Sequence, residues 1–340
     1  MDFLKADSLP WLAQLQERLR AADAAQRLPH SLLLLSAPGL GAEALASWIT
    51  AFRLCGAESG RPCGVCASCL LLRADSHPDA YLVQIEDDAR QIKVEQVREL
   101  IAAMALKSYR GGGKVAVIEG AELLNANGAN AFLKTLEEPT ADTVLILIAR
   151  PNHRLPATIA SRCLRLTLRP PAPEDAVAWL EAATATTATA AAPTSGSARP
   201  RSWEAALSLA GGAPLSALEM DAEAIAALDA DMRESLQQLA AGSVDVTLLA
   251  DRWVRSDPGL RITWLENWIT RRVHGALGAG TSHQSGERVR LPAALLKDKI
   301  RALFELLDAA RDLRRLAPTG INQQLALEAM LLGGRNALST

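Results

Sequence analysis

The stretch SLLLLSAPGLGAEALASWIT, Ser31 to Thr50, decides the fold. Ser31–Leu35 is an apolar run of strand length, Ser36 to Gly41 turns tightly around Pro38, Gly39 and Gly41, and Ala42–Thr50 reads as a helix. Strand, glycine turn and helix in that order make a phosphate-binding loop, in which backbone N–H groups at a helix N-terminus cradle an anion. The full motif is G-x-x-x-x-G-K-[ST]. Here the first glycine is Ser36, the lysine position is Ala42 and the hydroxyl position is Glu43. The missing lysine would hold the β- and γ-phosphates and the missing hydroxyl would hold Mg²⁺, whereas a carboxylate repels a triphosphate. The spacing predicts the shape of the loop without its chemistry.

Outward from this stretch the pattern repeats. Val115–Ile118 and Val144–Ile148 are short apolar runs suited to buried parallel strands. Between them lie two helical patterns, Lys93–Leu106, with Val94, Val97, Leu100, Ile101 and Met104 on one face, and Ala126–Leu136. Leu9–Ala25 reads as an amphipathic helix opening at Pro10-Trp11. The alternation predicts a three-layer α/β domain over residues 1–168, broken by Arg169-Pro170-Pro171-Ala172-Pro173. Residues 169–216 read as a small helical domain. The Ala-, Thr-, Ser- and Pro-rich run at about 182–199 reads as a flexible insertion within it. Residues 217–340 read as all-α, with helices near 222–241, 244–256, 259–277, 292–315 and 321–333, a loop at Thr281–Gly286, and Trp253, Trp264 and Trp268 as apolar anchors.

Four of the five cysteines fall at Cys55, Cys63, Cys66 and Cys69, a C-x₇-C-x₂-C-x₂-C spacing. Four thiolates satisfy tetrahedral zinc and close its shell, so the expected Zn²⁺ is structural, stapling an excursion from the α/β domain. Disulfides are the weaker explanation in a cytosolic chain, and Arg61-Pro62 and Gly64 place the segment in a polar loop. A DNA-binding zinc ribbon is the lesser option, since Arg61 and, just outside, Arg73 are its only arginines.

The 340 residues are 49% hydrophobic and 22% charged, the balance of a well-packed chain, and the net charge of −2 announces no nucleic-acid binding in bulk. The Met1–Ala21 segment carries Asp, Lys, Gln and Arg throughout, which is neither a signal peptide nor an anchor. No run approaches the about 18 apolar residues of a spanning helix. A cytoplasmic location is expected.

Asn130 to Pro139, NAFLKTLEEP, resembles the N-A-L-L-K-T-L-E-E-P signature of bacterial clamp-loader subunits, and Ser161-Arg162-Cys163 resembles their S-R-C motif. His77-Pro78-Asp79, Pro10-Trp11-Leu12, the zinc spacing and the Asn322–Leu332 segment fit the same family, so the resemblance covers nearly the whole chain. It implies a P-loop NTPase-like (AAA+) domain, a helical lid and a C-terminal collar for oligomerisation. The implied partners are the gamma/tau and delta subunits and, through the complex, a sliding clamp and primed DNA. Cys163 then belongs to the S-R-C motif and is no zinc ligand.

Within that family the departures favour the branch that has lost ATP hydrolysis over a gamma/tau-type ATPase. Besides Ala42 and Glu43, Glu119-Gly120 follows the Val115–Ile118 strand where Asp-Glu belongs, Ala149 stands at the first sensor position, and Pro214 stands where the second sensor arginine belongs. No bound nucleotide is expected at Ser36, Gly39, Gly41, Ala42 and Glu43. The resemblance implies that Arg162 acts in trans as an arginine finger on ATP held by the neighbouring subunit. Lys134 and Glu138 read as an i,i+4 pair, Glu119 as a strand-end carboxylate, and His30, His77 and His153 as structural. Tyr109 to Lys114, YRGGGK, could pass for a glycine-rich phosphate loop, but it precedes a strand and reads better as a hairpin-like connection.

Overall fold

The computed structural model describes residues 3–86, 89, 91–151, 155–188, 203–278, 293–316 and 321–338. The chain forms two compact units, Met1–Ala172 and Pro173–Thr340.

The first unit is built on the apolar runs. Short 3₁₀ turns at Phe3–Ser8 and Pro10–Leu12 lead into α1 (Ala13–Ala24), β1 (Ser31–Leu35), α2 (Ala42–Leu54) and α3 (Ala67–Arg73). Then come β2 (Ala80–Val83), α4 (Val94–Ala105), β3 (Lys114–Glu119), α5 (Ala126–Glu137), β4 (Thr143–Ala149), α6 (Ala157–Ala160) and β5 (Leu164–Thr167). The sheet order is β2-β3-β4-β1-β5, with every pairing parallel. β1 is flanked by β4, with Leu33 opposite Leu147, and by β5, with Leu33 opposite Arg165. Every residue of β4 is buried, as a strand covered on both faces requires. On one face Leu33, Ala116, Ile118, Leu145 and Leu147 pack with Val97, Leu100 and Met104 of α4 and Phe132 and Leu136 of α5. On the other, α2 packs against β3 and β4 through a helix whose Leu45, Trp48 and Ile49 are fully buried. Three layers result.

The two edge strands and α3 have no counterpart in the apolar pattern. β2 and β5 are four residues long and only one residue of each is buried, so their strand character comes from pairing with β3 and β1. The YRGGGK segment is not a hairpin. It joins α4 to β3, and β3 runs parallel to β2.

The second unit is helical: α7 (Pro173–Ala188), α8 (Trp203–Leu209), α9 (Pro214–Leu218), α10 (Ala222–Ala241), α11 (Val246–Arg255), α12 (Pro258–Gly278), α13 (Ala293–Leu316) and α14 (Gln323–Leu338). Asp221 caps α10 by accepting from the N–H groups of Glu223 and Ala224, and Gly242 ends it in a left-handed conformation (φ 70°). Trp203 and Leu207 of α8 share one core with Ile225, Trp253, Trp264 and Leu331.

Two expectations change here. The run at 182–199 is helical as far as Ala188, because alanine is the strongest helix former and outweighs the interspersed threonines; its remainder lies outside the described residues, as do His153 and the Thr281–Gly286 loop. The last helix does not stop at Gly333 but runs to Leu338. A Cβ on Gly334 would lie 2.5 Å from Leu306 Cδ1, so the glycine there serves close packing of α13 on α14, not termination.

Candidate functional site

The degenerate phosphate loop has the backbone its glycines predict. Gly39 (φ 78°) and Gly41 (φ 87°) are left-handed, and Gly41 is the N-cap of α2. Ser36 N–H donates to the Ala149 carbonyl at 3.0 Å, tying the loop to the end of β4. Trp11 Nε1 donates to the Leu40 carbonyl at 2.9 Å, so the N-terminal turn braces the loop. Ala42 is buried and brings no charge to the lysine position. Glu43 stands in the first turn of α2, and Glu119 ends β3. Burial, and then the charge of Glu43, hold the Glu119 carboxyl above its usual range. The lysine and hydroxyl positions of the loop are thus filled by a methyl and a carboxylate.

The cysteine cluster starts where α2 stops. Cys55 is the C-cap of α2, Cys63 and Cys66 lie in the following loop, and Cys69 lies on α3. Gly64 adopts φ 75°, a conformation that turns the chain between Cys63 and Cys66. All four Sγ atoms lie within 4.8 Å of one another, with Cys55 and Cys66 at 3.9 Å. Tetrahedral zinc with bonds of about 2.3 Å places its sulfurs about 3.8 Å apart, so the cluster could hold a metal ion. Backbone N–H groups of Cys63 and Cys66 point at Cys55 Sγ and Cys63 Sγ, both at 3.4 Å. Burial opposes ionisation of Cys66, yet N–H groups of Cys69 and Gly56 and the neighbouring thiols bring it down to about 6. Burial pushes the Cys55 and Cys69 thiols up. Asp23 of α1 anchors the excursion by pairing with Arg53 and Arg61, each at 2.6 Å, and Arg61 lies 4.7 Å over the Phe52 ring.

The S-R-C residues link α6 to β5. Arg162 Nε donates to Glu137 Oε1 at 2.7 Å, Nη2 pairs with the same oxygen, and Nη1 donates to the Thr158 carbonyl at 2.8 Å. The ion pair is half-exposed and worth about 0–1 kcal/mol. Cys163 faces the core instead, where burial raises its thiol to about 11 against a smaller opposing pull from Arg165. It stands outside the cysteine cluster.

The sequence pairs Lys134 with Glu138, but among the described residues Lys134 makes no ion pair. Glu137 turns to Arg162, because α5 ends there and Glu138 leaves helical geometry (φ −129°). Asp79 was legible only as part of a motif. It is fully buried, and both its oxygens accept backbone N–H, from Tyr109 at 2.6 Å and Arg110 at 2.9 Å. His77 Nδ1 accepts from Asp79 N–H at 3.1 Å, and His30 Nε2 meets the Leu136 carbonyl at 3.0 Å, both structural contacts.

The first unit is thus a parallel five-stranded sheet with a phosphate-loop turn after β1 and a four-cysteine excursion after α2. A family profile described as "DNA polymerase III, delta subunit" matches residues 11–172. DNA polymerase III subunit delta' of Pseudomonas aeruginosa is 31% identical over 96% of this chain and 97% of its own, and that of Escherichia coli K12 is 33% identical over 95% and 94%. The chain belongs to the DNA polymerase III delta' subunit family. DNA polymerase III subunit tau of Escherichia coli K12 is 34% identical over 42% of this chain and 22% of its own.

Proposed function

We propose that this chain is the non-hydrolysing delta' stator of a DNA polymerase III clamp loader, supporting ATP-dependent loading of the sliding clamp onto primed DNA. In this reading it assembles in the cytoplasm with gamma/tau and delta subunits. Residues 1–168 are the AAA+-like domain, residues 169–216 are the lid and residues 217–340 are the collar. Arg162 reaches the γ-phosphate of ATP on the neighbouring subunit. The charge building on the transferred phosphoryl is what a guanidinium offsets there. Cys55, Cys63, Cys66 and Cys69 would hold Zn²⁺, which closes its own shell and serves only to fix the excursion between α2 and β2.

One asymmetry carries the reading. The chain's own phosphate loop carries Ala42 and Glu43 in place of lysine and hydroxyl, with Glu119 at the end of β3 close enough to feel the charge of Glu43, while Arg162 stands on the surface. A carboxylate at the hydroxyl position opposes the binding of a triphosphate, and the methyl of Ala42 brings no positive charge to offset it.

Two measurements test it. The isolated chain should bind no Mg²⁺-ATP tightly and turn none over; hydrolysis abolished by changing Glu119 would instead make it a gamma/tau-type ATPase. Arg162→Ala should lower ATP turnover of the reassembled complex at least tenfold at the site it serves, against the roughly 10³–10⁵ that arginine fingers supply, with assembly unchanged. Unaltered turnover would remove the finger from the account.

A further inference from the structure

The geometry points to Glu137 as the positioning residue for Arg162: its carboxylate holds the inner edge of the guanidinium so that the outer edge stays presented to a phosphate on a neighbouring subunit. This deepens, and rests on, the reading of Arg162 as a finger.

A guanidinium carries five N–H donors in a planar fork. The inner edge, Nε and Nη2, is occupied by the single oxygen Glu137 Oε1. Nη1 is steadied by the Thr158 carbonyl at 2.8 Å, with Ser161 Oγ at 3.4 Å. These anchors come from two different elements, the last residue of α5 and the body of α6, so the plane of the fork is fixed in two directions. What remains is the outer edge, the second N–H of Nη2 and the N–H of Nη1 that Ser161 holds only loosely. That is the pair an arginine uses to grip a phosphate end-on. The Arg162 side chain is 34% exposed, which leaves it reachable by a partner.

A pair this exposed adds little to folding, which separates a positioning role from a structural one. Holding a long side chain in its working orientation removes an ordering cost that would otherwise fall on the reaction. The gain corresponds to roughly three- to tenfold in rate. The negative charge of Glu137 works the other way by weakening the cation. Glu137→Gln, which removes that charge and keeps the accepting oxygen, separates the two effects.

The test is steady-state ATP hydrolysis by the complex reassembled with each variant, reading kcat and KM for Mg²⁺-ATP separately. Glu137→Ala is expected to lower kcat three- to tenfold with KM unchanged. Glu137→Gln, which keeps the accepting oxygen, should stay within twofold of the parent. The double variant Glu137→Ala/Arg162→Ala should be no slower than Arg162→Ala alone. If Glu137→Ala does not assemble, Glu137→Met keeps the bulk without the acceptor and takes its place. Parental or faster turnover in the acceptor-less variant, with Arg162→Ala still impaired, would overturn the role of Glu137 and leave the finger standing. Parental turnover in Arg162→Ala would remove both.

Discussion

Glu119 carries a thermodynamic cost set by its surroundings. Its carboxyl is held above the usual range by burial and by the charge of Glu43. A group whose folded-state pKa is raised binds its proton more tightly in the folded chain. Its contribution is therefore whole below the unfolded value and lost as pH rises through the folded one. Near neutrality Glu119 destabilises the first unit. Glu119→Gln should raise the thermal midpoint at about pH 7, and the gain should fade toward about pH 4 as the parent carboxyl protonates; melts across that range decide it, and a gain independent of pH would contradict the assignment. At this scale the sequence was informative about identity and silent about partners. Ala42, Glu43 and Pro214 could be read as losses from position alone. That Arg162 lies on Glu137, 25 residues away along the chain, could not, because the meeting depends on how α5 and α6 pack.

Elements differ in how much of their own stability they encode. β1, β3 and β4 have apolar interiors and α4, α5 and α10 carry clear apolar faces, so each was legible from its own residues. β2 and β5 were not, since half-exposed edge strands borrow their conformation from the neighbour they pair with. The junction of α4 and β3 was hidden for a related reason. Lys114 is buried, and its Nζ donates to the carbonyls of Met104 and Leu106, and to that of Ala103 at 3.4 Å, closing the C-terminus of α4. From the other side Asp79 accepts two N–H groups of the same connection. Lys114→Met should cost about 2–4 kcal/mol, because the carbonyls lose their donor while staying buried; urea unfolding would show it as a lower midpoint with an unchanged slope. In the second unit Gly334→Val should cost about 1–3 kcal/mol, since the added carbons enter the space of Leu306 between α13 and α14. A neutral result would mean that this contact yields freely.

For the molecule as a whole, the cysteine cluster gives the first unit a fixed point that its sheet does not supply. The segment from Cys55 to Arg73 contributes no strand, and Asp23 with Arg53 and Arg61 ties only one side of it. The purified chain should carry about one Zn²⁺, measured with a chromogenic indicator after thiol titration. Cys66→Ser should lose the metal and lower the melting midpoint of the first unit, whereas Cys163→Ser, whose thiol is buried apart from the cluster, should keep it. Because the thiolate is the ligand and protons compete with the metal for it, metal retention should fall as pH is lowered. No helix among the described residues is long and apolar enough to cross a membrane.

By itself the sequence determined the parallel α/β core, the helical character of the second half, the four-cysteine constellation and the losses in the phosphate loop. All of these are written in periodicity, spacing or residue type within one segment, and local geometry suffices to express them. Only the tertiary structure decided the edge strands, the continuation of α7 and α14 past their apparent ends, the buried Asp79 and Lys114 that fix the turn before β3, and the carboxylate that holds Arg162. Each of these depends on which surfaces the fold brings together, and that is set by long-range packing and not by any residue's own preference.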